Sequence, residues 1–81
     1  MARLDVNDIQ KIEKERNMIH EKVFSTYTVF SENGKKYVQL DTYGRVGRAI
    51  PGKISQSVQF DENTARFWVN LLIKEFGFTL K

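Results

Sequence analysis

The chain has no cysteine among its 81 residues, so disulfides, thiolate nucleophiles and the common cysteine-based zinc patterns are excluded together. Its single histidine, His20, has no second strong ligand at a metal-binding spacing, and neither a metal site nor a cofactor is expected. No apolar run approaches the ~20 residues that a membrane-spanning helix needs. Met1 to Asn7 lack the charged-then-apolar pattern of a secretion signal, and the expectation is a cytoplasmic protein with no membrane association. Neither sign of charge dominates. Thirteen basic residues against 10 acidic ones leave a net charge of +3, which permits a nucleic-acid partner without requiring one.

What is present fits one small domain, residues 1–81, of the α+β class. A chain this short buries a modest fraction of its surface, and disulfide and metal staples are already excluded. Oligomerisation is the remaining stabiliser, and a homodimer is expected.

The segment from Asp5 to about Glu21 predicts a helix, so that residues 5–22 form an N-terminal helical unit. Asp5 stands at the N-cap with Asp8 three residues on, and Leu4 and Ile9 occupy the hydrophobic-staple positions. Ile9, Ile12, Ile19 and Val23 form a narrow heptad stripe in which Arg16 takes one apolar slot. Residues 23–78 are expected to form a sheet and a second helix. Val23 to Glu32 and Lys35 to Tyr43 are rich in β-branched and aromatic residues, and Asn33-Gly34 between them suits a two-residue type I′ turn.

That turn sets a register, with Phe30 opposite Tyr37, Thr28 opposite Gln39, Thr26 opposite Asp41 and Phe24 opposite Tyr43. Alternation then divides the hairpin into two faces. Tyr27, Val29, Val38 and Leu40 make the natural core face. Phe24, Phe30, Tyr37 and Tyr43 lie on the other, among threonines, Gln39 and Asp41.

Gly44 to Lys53 carries three glycines and the only proline, and predicts a loop bearing Arg45, Arg48 and Lys53 with no acidic residue. Ile54 to Phe60 alternates and predicts a strand whose Ser55, Ser57 and Gln59 face outward. Asp61 caps a helix from Glu62 to Phe76, and Gly77 ends it at the C′ position. The expected order is α-β-β-β-α: a three-stranded antiparallel sheet, four-stranded if Arg45 to Ile50 supplies another strand, with the C-terminal helix packed on it. That helix is apolar over more than half its circumference. Trp68 and Leu72 are read as core, and Phe67 and Leu71 as an oligomer interface.

For function, nucleophilic hydrolysis needs a base beside a nucleophile, and His20 sits on a charged segment next to Glu21. Asp41, Asp61 and Glu62 are dispersed over a strand and a helix start, so a carboxylate-metal centre has no cluster to use. No catalytic residue is assigned. The remaining constellation is the aromatic face with its basic loop. Aromatic side chains stack bases and cations follow phosphates, so the expectation is a non-enzymatic module that binds single-stranded nucleic acid. Phe30, Tyr37 and Tyr43 are the stacking candidates, and Lys35, Lys36, Arg45, Arg48 and Lys53 the phosphate contacts. The alternative is a protein-interaction module, such as an accessory subunit or a phage or host inhibitor. It would use the first helix and the exposed part of the last.

Two resemblances bear on this. Lys36-Tyr37-Val38-Gln39-Leu40-Asp41-Thr42-Tyr43-Gly44, continued by Ile50 through Asp61, resembles a group of short bacterial and phage proteins labelled methionyl-tRNA formyltransferase-like, over roughly residues 23–78. No activity or site residue is carried over from that group. The layout of Val58 to Phe76, a strand followed by Gln-Phe-Asp-Glu and an amphipathic helix, is similar to the transcriptional-coactivator single-stranded-DNA-binding family. That similarity implies DNA binding and dimerisation through the helix.

Overall fold

The structure is a computed structural model that describes residues 1–45 and 53–79. Its clearest local element is the hairpin of β2 (Val23–Glu32) and β3 (Lys35–Arg45). Asn33 at φ 52° and Gly34 at φ 78° form the turn, the left-handed pair that type I′ geometry demands. The register follows from it: Phe30 pairs with Tyr37, Thr28 with Gln39 and Thr26 with Asp41. The pairing shifts between Ser25 and Val23, so Phe24 does not pair squarely with Tyr43 as expected. A bulge places Tyr43 and Gly44 against the single residue Phe24.

The third predicted strand appears as β4 (Gln56–Phe60), antiparallel to β3 with Leu40 opposite Val58 and Gln39 opposite Gln59. Helix α1 spans Glu62–Phe76 as the sequence predicts. The Thr64 amide donates to Asp61 Oδ1 at 2.9 Å, and Gly77 at φ 68° ends the helix with its amide on the Ile73 carbonyl.

The N-terminal helix is not there. Ala2–Leu4 form a short strand, β1, followed by a single 3-10 turn at Val6–Asp8. Asp5 does act as a cap, accepting from the Asn7 amide, but Ile9 is already extended and no regular element follows until Val23. The physical reason is twofold. The stripe of Ile12 and Ile19 was too narrow to pack, and both side chains lie in solvent, Ile19 fully exposed. An unpacked helix of this length is marginal in water. Meanwhile the first residues have a better use: Leu4 aligns with Phe60 and Arg3 with Gln59 in a parallel pairing of β1 with β4.

The sheet is therefore mixed rather than antiparallel throughout, in the order β1-β4-β3-β2. A fourth strand comes from the N-terminus; the expected alternative, Arg45 to Ile50, lies outside the described residues beyond Arg45. Thr64, fully buried, locks this edge: its hydroxyl donates to the Leu4 carbonyl at 3.2 Å and accepts from the Val6 amide at 3.0 Å. Helix α1 lies on the apolar face, in contact with β4 and the 3-10 turn. It leaves the β2 side bare, with Tyr27 72% and Val29 54% exposed. Among the described residues no apolar side chain is fully buried.

Candidate nucleic-acid interface

The face of the sheet opposite α1 gathers the polar residues of three strands. Arg3, Gln59 and Gln39 lie side by side across β1, β4 and β3 by the strand registers. Gln59 Nε2 donates to Gln39 Oε1 at 2.7 Å, and Gln39 Nε2 donates in turn to both carboxylate oxygens of Asp41, at 3.0 and 3.1 Å. Asp41 is 5% exposed and Ser57 8%, so the outward polar edge expected for β4 is instead the floor of this face. A buried carboxylate needs such donors to offset the loss of water. The central acid of the face is thus almost out of solvent, with both carboxylate oxygens accepting from Gln39.

Aromatic pairs stand at both ends. Near the turn, Phe30 and Tyr37 stack at 5.5 Å with their planes 24° apart. Near the bulge, Phe24 and Tyr43 meet at 5.5 Å and 53°, and the Tyr43 hydroxyl lies 3.1 Å from that of Thr26. The six-residue step from Phe24 to Phe30 along an extended strand separates the pairs by about 20 Å. Phe24 is 55% exposed and the other three rings are half-buried; no described helix covers them.

The cations fall into three groups. The Arg3 guanidinium sits 5.8 Å from the Tyr37 ring centroid, a cation–π distance. Lys35 opens β3 on the same side as Tyr37, opposite Glu32. Lys53 is exposed, ahead of β4. Lys36 points the other way, lining a crevice on the helix side with Val38, Phe60 and Glu62, so it does not join the site. Arg45 is placed by its backbone at the end of β3, and Arg48 lies outside the described residues.

Sequence reading missed Arg3, Gln39 and Gln59 as members of one site. The two glutamines were legible as polar alternation, but β3 ends at Arg45 and β4 begins only at Gln56, so nothing local set their register. Arg3 had no signal, because a three-residue strand has no periodicity. A hollow of about 310 Å³ opens beside these residues, lined by Met1, Arg3, Ile54 and Gln59 among others.

The predicted interface positions on α1 are partly covered. Phe67 and Leu71 are half-buried, Phe67 edge-on to Trp68 at 5.4 Å, while Leu72, read as core, is 42% exposed. His20 is exposed on the segment before β2, and among the described residues no three His, Asp or Glu side chains cluster to hold a metal. No described helix is long and apolar enough to cross a membrane. No family model, no curated protein and no solved structure matches the chain.

Proposed function

We propose that this chain is a non-enzymatic module that holds single-stranded nucleic acid on its polar sheet face. The observation that carries the reading is the pair of aromatic clusters, Phe30 with Tyr37 and Phe24 with Tyr43, on a face that no described helix covers. Bases stacked on the two ends would be bridged by the glutamine ladder, whose amides offer hydrogen bonds to base edges. Arg3, Lys35 and Lys53, with Arg45 and Arg48 from the basic loop, would meet the phosphates. The spacing suits a short stretch, about 4 nucleotides, at the low end of single-strand site sizes. Asp41 opposes a polyanion least with both its carboxylate oxygens hydrogen-bonded to Gln39.

The test is anisotropy of fluorescent single-stranded and duplex oligonucleotides at two salt concentrations. The expected result is micromolar or tighter binding to the single strand that weakens with salt. Tyr37→Leu keeps an apolar strand residue and removes the stacking plane, so it should weaken binding about tenfold or more, in line with ~1–3 kcal/mol per stacked base. No binding at low salt, or an unaltered Tyr37→Leu, would overturn the reading. The protein-interaction alternative draws on the bare apolar side of the sheet.

A further inference from the structure

The glutamine ladder has a direction. A carboxylate only accepts hydrogen bonds, whereas an amide has a donor end and an acceptor end. The buried Asp41 therefore draws the Gln39 NH2 onto both its oxygens, at 3.0 and 3.1 Å. The Gln39 carbonyl is then the end that meets β4, where it accepts from Gln59 Nε2 at 2.7 Å. With its NH2 on Gln39, Gln59 keeps its carbonyl as the end not engaged in the ladder. One acid thus decides which way two amides face, and the outer end of the ladder presents an acceptor.

Arg3 stands next to that end. It aligns with Gln59 across the β1–β4 pairing, and its guanidinium lies 5.8 Å from the Tyr37 ring centroid. A guanidinium only donates, and does so through N–H groups in a fixed fork. Arg3 and Gln59 both line the hollow of about 310 Å³ on this face, to which Met1 and Ile54 add apolar lining for a ring. Its size is at the lower end of ligand pockets, roughly 300–1,000 Å³.

We propose that this hollow takes a cytosine by its Watson–Crick edge, which makes the module selective for cytosine within a single strand. The inference rests on the single-strand reading above and deepens it. Unstacked bases in single strands are read on that edge. The edge of cytosine runs donor, acceptor, acceptor: its N4 amine meets Gln59 Oε1, and N3 and O2 meet the Arg3 fork. Thymine and uracil reverse the first two positions, so O4 faces the Gln59 carbonyl and N3–H faces the guanidinium. Adenine satisfies Gln59 and one arm of the fork, with no acceptor for the other arm. Guanine can engage Arg3 through O6 and N7, but that edge brings no donor to Gln59.

Competition between short oligo-dC and oligo-dT, followed by anisotropy at alkaline pH where oligo-dC does not pair with itself, tests it. Both are pyrimidines and offer similar ring faces for stacking, so the ratio of their affinities reports the edge. Oligo-dC should bind roughly fivefold tighter or more, the low end of what one matched bidentate contact discriminates. Gln59→Met keeps the length of the side chain and removes the acceptor, so it should erase the preference. Asp41→Asn keeps the shape but can donate as well as accept, so the ladder loses its enforced direction and the ratio should fall. Equal affinity of the wild type for the two oligonucleotides overturns the cytosine preference and leaves the single-strand reading standing. No affinity for either overturns both. A preference that survives Gln59→Met also overturns the inference.

Discussion

The two faces of this sheet are finished to different degrees. On the polar face, Gln59, Gln39 and Asp41 satisfy one another in a ladder and the aromatic rings pair. On the apolar face, Val29, Leu40, Val69 and Leu72 remain in solvent, and the buried Trp68 indole N–H has no hydrogen-bond partner among the described residues. Polar groups are satisfied one at a time, by donors and acceptors at fixed distances, so a single small chain can complete that task. Apolar surface is satisfied only by area, and one 15-residue helix does not supply enough. The contrast is one of completion: the polar face satisfies its own groups, and the apolar one keeps surface that a single helix does not cover.

Three substitutions break or sharpen this contrast. The largest effect is expected at Thr64, the buried hydroxyl that ties the first turn of α1 to β1. Thr64→Val leaves the Val6 amide and Leu4 carbonyl without their partner and should cost about 1–3 kcal/mol in a urea unfolding curve. Because β1 carries Arg3, the same variant should also weaken oligonucleotide binding; unchanged binding would separate β1 from the site. Next is Arg3→Ala, which removes the cation over Tyr37. Binding should fall by roughly 0.5–1 kcal/mol, and the slope of affinity against salt should drop by about one phosphate contact. Stability should hardly move, since the aromatic pair survives.

The smallest effect concerns acid. The Thr64 amide, hydrogen-bonded to Asp61, holds that carboxyl's pKa below its ordinary 3.8. A depressed folded pKa contributes stability above the unfolded value and loses it as pH falls through the folded one. Melting temperature should therefore fall below about pH 3.8, and Asp61→Asn, which caps without charge, should flatten that limb. An identical acid limb in the variant would refute the role.

Legibility tracked the distance over which each contact acts. Asn33-Gly34 set the β2–β3 register through two backbone angles, and Asp61 and Gly77 bounded α1 through bonds within a few residues of each end. Asp5 carried an equally sound local signal and capped only a 3-10 turn, because a cap starts a helix but cannot propagate one that has no surface to pack on. The hairpin, the last helix and the aromatic stripe were thus determined by the sequence alone. The tertiary structure decided that the N-terminus is a parallel edge strand, that Gln59 meets Gln39, and that Arg3 stands over Tyr37. Those contacts join residues as many as 56 positions apart, where no turn geometry or periodicity reaches and only the fitting of whole surfaces selects the pairing.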